Sequence, residues 1–130
     1  MKILFVCRHN RFRSKVAEAI FNKLNKKKEN ITRSRGIILD EKRHYIEKNV
    51  LAVMKNKDYE IKNQKPLRIC ERAIKWADKI IVVADNVEYD FGKKEVEVWK
   101  IEDCDASEKE KIKMIIEQIE NKVKALIESL

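Results

Sequence analysis

Two short apolar runs constrain the fold of this chain more than any other feature of its sequence. Residues 3–6 and 80–83 contain only Ile, Leu, Phe and Val. A continuous apolar strand of this length is typical of a parallel sheet, because helices cover both faces of such a sheet. Segments with helical spacing alternate with the strands. This alternation predicts an α/β fold built on a parallel sheet.

The remaining elements are predicted from their periodicity. Weaker strands are predicted at residues 31–36 and 96–101, and helices are predicted to begin at Ser14, Ile46, Pro66 and Ser107. Ser107 and Glu110 have the spacing of a capping box. In the helix predicted to begin at Pro66, Cys70 falls on the apolar face, and we expect it to be a small core residue.

Length and charge limit the classes of function. The chain has 130 residues and a net charge of +8, which fits a single domain over residues 1–130. Lys and Arg are spread along the chain, and no nucleic-acid-binding module is recognised. The excess of basic over acidic residues therefore indicates a solvated basic surface. We expect a monomer with no nucleic-acid partner.

Cysteine usage and hydropathy indicate the compartment. Cys7, Cys70 and Cys104 include no C-x-x-C pair, which argues against a disulfide framework and a zinc site and suits a reducing compartment. The apolar runs are too short to span a bilayer or to form a signal-peptide core. We therefore expect a cytoplasmic protein with no membrane partner and no bound metal.

One segment combines the residues that phosphate chemistry requires. Residues 7–14 read Cys-Arg-His-Asn-Arg-Phe-Arg-Ser and link the first predicted strand to the first predicted helix. Such a loop can turn its backbone N–H groups inward, and the helix start adds unpaired N–H groups and the positive end of the helix dipole. This field favours a thiolate at Cys7, which Ser14 can hydrogen-bond, and Arg13 can grip two phosphate oxygens. The arrangement predicts covalent phosphoryl transfer without a metal or cofactor.

The pattern Cys7-x-x-Asn10-x-x-Arg13-Ser14 resembles the loop of the low-molecular-weight protein tyrosine phosphatases, a fold shared with thioredoxin-coupled arsenate reductases. Residues 34–36, Ser-Arg-Gly, are similar to the Ser-Ala-Gly that follows the second strand in that family. The resemblance implies a three-layer, flavodoxin-like α/β fold with a four-stranded parallel sheet in the order 2-1-3-4. It also implies a set of phosphate-binding residues: Arg8, His9, Asn10, Arg11, Phe12, Arg13 and Ser14.

The resemblance further implies a general acid on a late loop. In the family, an Asp just before the last helix protonates the leaving oxygen and then activates water. Asp103 is the matching position in this chain, and Asp105 is the alternative. The implied catalytic set is therefore Cys7, Arg13 and Asp103.

The chain departs from the family pattern at several positions. His9 stands where Gly is frequent, Phe12 replaces a second loop cysteine, and Lys15 replaces a frequent Pro. Cys104 replaces the Pro that usually follows the acid, and no aromatic residue comes directly after it. Specificity for phosphotyrosine is therefore open, and Cys104 is a candidate resolving thiol for an oxidised Cys7.

The sequence leaves three functions open, beside a basic nucleic-acid binder that the even spread of Lys and Arg disfavours. The first is a phosphatase that hydrolyses phosphate monoesters of a phosphorylated protein or a small aryl phosphate through a phospho-cysteine. The second is an arsenate reductase that uses the same thiolate. The third is a catalytically impaired phosphate-binding protein, which would follow if His9 distorts the loop.

Overall fold

The four strands form one parallel sheet. In the computed structural model, which describes residues 1–130, the strands are Lys2–Cys7 (β1), Ile31–Gly36 (β2), Lys79–Val83 (β3) and Val96–Trp99 (β4). Their order across the sheet is β2-β1-β3-β4, and every neighbouring pair is parallel. The predicted α/β fold and its 2-1-3-4 strand order are therefore confirmed.

Helices cover both faces of this sheet and make three layers. The helices are Arg13–Leu24 (α1), Lys48–Asn56 (α2), Glu71–Trp76 (α3) and Lys109–Ser129 (α4). Successive strand side chains point to opposite faces. Ile3 and Phe5 of β1 therefore belong to the core shared with α1, α2 and α4, whereas Leu4 and Val6 belong to the smaller core beneath α3. No helix here combines the length and the hydropathy that a membrane span requires.

The last helix has the predicted apolar stripe but not the predicted cap. One face of α4 is buried along its length by Ile112, Ile115, Ile116, Ile119, Val123 and Leu126. Glu108 is the residue before the first turn, and its side chain makes no capping hydrogen bond. The Ser107 hydroxyl instead donates to Asp105 at 2.7 Å. The capping-box prediction is therefore wrong, because the helix begins at Lys109 and Ser107 lies one residue before the N-cap position.

The helix predicted to begin at Pro66 is shorter and begins later. Residues 66–70 are extended beside the end of β2, where Gly36 N–H donates to Leu67 O and Ile69 N–H donates to Gly36 O, both at 2.8 Å. These hydrogen bonds prevent the segment from closing helical turns. Cys70 is the N-cap residue of α3, where its side chain makes no capping hydrogen bond and is exposed. Its prediction as a core residue is therefore wrong.

Two other element ends differ from the sequence prediction. Ile46 is buried, but it lies before α2, which begins at Lys48. The fourth strand ends at Trp99, and Ile101 follows it as a buried residue whose carbonyl accepts a hydrogen bond from Asp85 N–H. Helical or strand spacing predicts these apolar positions correctly, but it does not locate the ends of the elements.

Candidate active site

Cys7 lies where the topology of the sheet favours a ligand site. It is the last residue of β1, which has β2 on one side and β3 on the other. The crevice at the carboxyl ends of such strands, where the strand order reverses, is the usual ligand site of an open parallel sheet. The Cys7 side chain is 2% exposed, and a loop of five residues joins it to Arg13 at the start of α1.

The backbone of this loop has unused hydrogen-bond donors. None of the backbone N–H groups from Arg8 to Ser14 donates a hydrogen bond to another group of the chain. Asn10 has a left-handed backbone with φ of 54°, a conformation that Asn tolerates and that turns successive N–H groups toward one centre. His9 does not carry the positive φ, so the side chain at that position causes no backbone strain.

A buried network holds the loop from behind. Asn10 is fully buried and its Nδ2 donates to Ser14 Oγ at 2.7 Å and to Ser34 Oγ at 3.1 Å. Asn10 Oδ1 accepts from Leu67 N–H at 2.9 Å, and Ser34 Oγ donates to Glu18 at 2.8 Å. Every polar atom of the Asn10 amide is therefore engaged, which keeps its left-handed backbone in place.

The same network directs a hydroxyl at the thiol. Ser14 Oγ lies 2.9 Å from Cys7 Sγ. Because Ser14 Oγ already accepts from Asn10, its own hydrogen is free to point at the sulfur. Ser14 can therefore stabilise a thiolate at Cys7.

Arg13 is buried and held at several points. Its side chain is 2% exposed, Nη1 donates to Ile101 O at 2.8 Å, and Nη2 donates to Asn86 Oδ1 at 3.1 Å. The carboxylates of Asp85 and Asp103 lie at 3.6 Å and 3.8 Å from the guanidinium. These contacts orient its planar fork beside Cys7, while both carboxylates are far enough away for an anion to compete for the same cation.

The other loop side chains take different positions. Arg8 is exposed and does not reach the cavity over Cys7, so only its backbone can contribute there. His9 and Phe12 line that cavity, and the His9 ring shares a hydrogen bond with Ile38 O at 2.9 Å.

Arg11 is tied to the next loop. Its Nε donates to Tyr45 O at 3.0 Å, its Nη2 lies 2.6 Å from Glu47, and its guanidinium lies over the Tyr45 ring. The charge of Arg11, which the resemblance implies as a phosphate-binding residue, is therefore largely neutralised by Glu47.

The cavity over Cys7 has a volume of about 330 Å³. Its lining comprises Cys7, His9, Arg11, Phe12, Arg13, Arg43, Glu47, Val50, Asp103, Cys104, Asp105, Ala106 and Ile112. The structure thus brings together the predicted nucleophile, the predicted arginine and both candidate acids, although they come from opposite ends of the chain.

The two candidate acids have different surroundings. Asp105 Oδ1 accepts from the Ser107 N–H at 2.9 Å and from its hydroxyl at 2.7 Å, and these bonds lower the pKa of the Asp105 carboxyl. Asp103 has one bond, from Cys104 N–H, and its other oxygen faces Arg13. Asp103 faces the arginine that would bind the phosphoryl group, whereas Asp105 is held by Ser107, so the geometry favours Asp103 over Asp105.

The remaining cysteines differ in their access to the site. Cys104 lines the cavity, and burial, followed by the nearby carboxylates of Asp103 and Glu108, raises the pKa of its thiol. Cys70 is exposed and lies outside the cavity. Of the two, only Cys104 shares the cavity with Cys7.

Two residues that hold Arg13 were not predicted from the sequence. Asp85 and Asn86 come directly after β3, with one alanine between the strand and Asp85. Because the carboxyl ends of parallel strands share one edge of the sheet, polar residues there meet the residues that follow β1. The location of Asp85 and Asn86 just after a buried strand was the sequence signal that could have identified them.

Gly36 lies against the loop of residues 8–12 and allows no side chain. A Cβ there would lie 2.7 Å from His9 C, 2.8 Å from Asn10 N and 2.9 Å from Arg8 O, which are all backbone atoms. We expect Gly36→Ala to lower the free energy of unfolding by about 1–3 kcal/mol and to lower kcat/KM, because the loop must move. Urea unfolding and an aryl phosphate assay measure the two effects.

The other glycine is the matched control. Gly92 has φ of +70° and nothing within 4 Å of an added Cβ, so Gly92→Ala should cost about 1 kcal/mol of stability with unchanged kcat/KM. Equal activity in the two variants would show that Gly36 does not position the loop.

Comparisons with known proteins agree with this geometry. The sequence model described as low molecular weight phosphotyrosine protein phosphatase matches residues 2–130. No curated protein sequence matches the chain significantly.

Three solved structures illustrate the similarity. An arsenate reductase from Archaeoglobus fulgidus is 27% identical, with a TM-score of 0.82 and coverage of 97% of this chain and 98% of that one. A low molecular weight protein tyrosine phosphatase from T. tengcongensis is 25% identical, with a TM-score of 0.84 and coverage of 100% and 99%. The YwlE arginine phosphatase from Geobacillus stearothermophilus, at 19% identity, shares the fold, with a TM-score of 0.81 and coverage of 98% and 91%. The family match over nearly the whole length, on a sheet of the same order, shows that this chain belongs to the low-molecular-weight phosphotyrosine protein phosphatase family.

Proposed function

We propose that this protein is a phosphatase that hydrolyses phosphate monoesters, with phosphotyrosine or an aryl phosphate as substrate, through a phosphorylated Cys7. One observation carries the proposal. A nearly buried thiol lies beside a loop whose N–H groups from Arg8 to Ser14 are unpaired within the chain, and it shares a cavity with Arg13 and Asp103.

In the first step, the Cys7 thiolate attacks phosphorus and the bond to the leaving oxygen breaks. The loop N–H groups and the Arg13 fork bind the equatorial oxygens, where negative charge is concentrated in the transition state. Asp103 gives its proton to the leaving oxygen. The products of this step are the free alcohol or phenol, phospho-Cys7 and an Asp103 carboxylate.

In the second step, the Asp103 carboxylate takes a proton from water, and the resulting hydroxide equivalent attacks phosphorus. The P–S bond breaks, inorganic phosphate is released, and the Cys7 thiolate is restored. Ser14, which lies 2.9 Å from the sulfur, stabilises the departing thiolate by a charge-assisted hydrogen bond.

The walls of the cavity support an aryl substrate. Phe12, Val50 and Ile112 give the lining an apolar side, against which an aromatic ring can pack. Glu47 and Arg43 line the same cavity and carry opposite charges, so the mouth does not strongly favour either sign of substrate. We therefore propose a broad range of aryl phosphates, including phosphotyrosine in an accessible peptide.

Cys104 supports arsenate reduction as a second candidate. In that reaction Cys104 would attack the sulfur of an arsenylated Cys7, a Cys7–Cys104 disulfide would form, arsenic would leave as As(III), and thioredoxin would reduce the disulfide. The attacking group must be a thiolate. Because burial and neighbouring carboxylates raise the pKa of Cys104, the thiolate is scarce at neutral pH, which favours the phosphatase.

Other aspects of the protein stay predictions. We propose that residues 1–130 act as one domain, as a monomer, in the cytoplasm, with neither nucleic acid nor a membrane as partner. The spread of Lys and Arg over the chain supports the exclusion of nucleic acid.

Two assays on the same preparation test the proposed function. The first measures phosphate release from 4-nitrophenyl phosphate and from a phosphotyrosine peptide in EDTA. The second measures NADPH oxidation with arsenate, thioredoxin and thioredoxin reductase. We expect phosphate release, and no reductase turnover above that of a Cys104→Ser control. Reductase turnover that requires Cys104, without phosphate release, would reverse the assignment. Phosphate binding without either activity would indicate a binding protein.

A further inference from the structure

A second cavity lies behind the catalytic loop. It has a volume of about 670 Å³ and is formed by α1, α2 and the segment 58–64 that follows α2. None of its lining residues lines the cavity over Cys7. Its volume falls in the range of small-molecule sites, about 300–1,000 Å³. The charge and polarity of its lining residues therefore indicate which small molecule could bind there.

Lys15 is the unusual residue of this cavity. It follows Ser14 on α1, lines the cavity, and has a side chain that is 1% exposed. Its ammonium group forms no hydrogen bond and no ion pair with any other group of the chain, whereas the exposed Lys23 of the same cavity is paired with Asp58 at 3.2 Å. Burial lowers the pKa of Lys15, with the Glu18 carboxylate acting in the opposite direction. The ammonium group opens into the cavity, since no fully buried side-chain nitrogen or oxygen of the chain lacks a hydrogen-bond partner. The chain supplies no acceptor for this cation, and an anion in the cavity would supply one.

The other charges of the cavity do not satisfy Lys15. Glu18 accepts the Ser34 hydroxyl at 2.8 Å through one oxygen, and its charge favours the protonated form of Lys15, but the two groups form no ion pair within 4 Å. Asp58 is paired with Lys23, and Glu60 is exposed. Four lysines and three carboxylates line the cavity, so its lining has a net charge of +1.

The apolar residues of the lining indicate that the uncharged part of a ligand would be apolar. Leu51, Met54 and Ile61 form an apolar side of the cavity, and Met54 and Ile61 are themselves buried. A ligand whose charged group meets Lys15 can pack its body against this side. Its charged group also comes near Glu18, which repels a second negative charge more than a first.

We infer that this cavity binds a small organic monocarboxylate, with the carboxylate on Lys15 and an apolar body against Leu51, Met54 and Ile61. A carboxylate supplies the missing acceptor with a single charge. A phosphate dianion would bind less well, because Glu18 lines the same cavity.

The test compares 3-phenylpropionate with its neutral analogue 3-phenylpropanamide, by calorimetry and by NMR shifts of the backbone amides. The catalytic loop is first filled with inorganic phosphate. We expect the wild-type protein to bind the carboxylate at least about tenfold more tightly than the amide, with shifts at residues 15–23 and 51–64. Equal affinities, no binding of either compound, or displacement by phosphate would overturn the inference.

Two variants locate the site. Lys15→Met keeps the length of the side chain and should lower carboxylate affinity at least about tenfold, to the level of the amide. Lys55→Met removes an exposed lysine of the same cavity and should change the affinity less than about threefold. Unchanged affinity in Lys15→Met would contradict the assignment.

A third variant guards against a folding defect in Lys15→Met. Leu51 is half-buried, so Leu51→Trp can fill the apolar side without disturbing Lys15. Circular dichroism first shows that the variant is folded. Both compounds should then bind at least about fivefold more weakly, because their apolar body is excluded. Retained binding of both compounds would place them elsewhere and overturn the inference.

Discussion

Replacing Cys7 with serine is expected to lower kcat for 4-nitrophenyl phosphate by at least about 10⁴-fold. A serine hydroxyl stays protonated at the pH at which a thiolate forms, and the protonated hydroxyl is a much weaker nucleophile. The backbone of the loop does not depend on the sulfur, because Asn10 and Gly36 hold it. Cys7→Ser should therefore still bind inorganic phosphate, which calorimetry can measure.

Cys70→Ser is the matched control for this prediction. Cys70 is an exposed cysteine outside the cavity, so its replacement should leave kcat unchanged. Retained hydrolysis in Cys7→Ser, with phosphate binding intact, would mean that the phosphoryl group is transferred directly to water. The covalent mechanism would then be wrong even though the protein is a phosphatase.

Replacing Asp103 with asparagine is expected to lower kcat/KM for a phosphotyrosine peptide by about 10²–10³-fold. The phenol of tyrosine leaves poorly without a proton, whereas 4-nitrophenolate leaves well. The loss in kcat/KM with 4-nitrophenyl phosphate should therefore be at least about tenfold smaller. A variant that merely disturbed Arg13, which lies 3.8 Å from Asp103, would lower both values alike.

Asp105→Asn separates the two candidate acids. The Asp105 carboxylate accepts two hydrogen bonds from Ser107, and we expect its replacement to change kcat/KM less than about threefold with either substrate. If the dependence on the leaving group instead appears in Asp105→Asn and is absent in Asp103→Asn, Asp105 is the acid. That result would require the loop 102–106 to rearrange when substrate binds.

Several parts of the fold and site could be predicted from sequence because they depend on local patterns. The buried strands β1 and β3 are continuous apolar runs, and α4 has an apolar residue at each helical turn. The loop motif places a cysteine and an arginine around a strand-to-helix turn. Each of these signals lies within a few residues of the chain, so periodicity and spacing were sufficient.

Other parts depended on partners far away in sequence. Pro66 suits a helix start, but the hydrogen bonds between Gly36 and the segment 66–70 make that segment extended. Asp85 and Asn86 reach Arg13 only because β3 lies beside β1. No local pattern encodes these contacts.

The sequence by itself therefore determined the parallel sheet, the cysteine loop and the identity of its arginine, since short-range periodicity and spacing specify them. Only the tertiary structure decided which aspartate faces Arg13, why Gly36 must lack a side chain, and that Lys15 is buried without a partner. Each of those properties is set by atoms that packing brings within a few ångströms from distant parts of the chain.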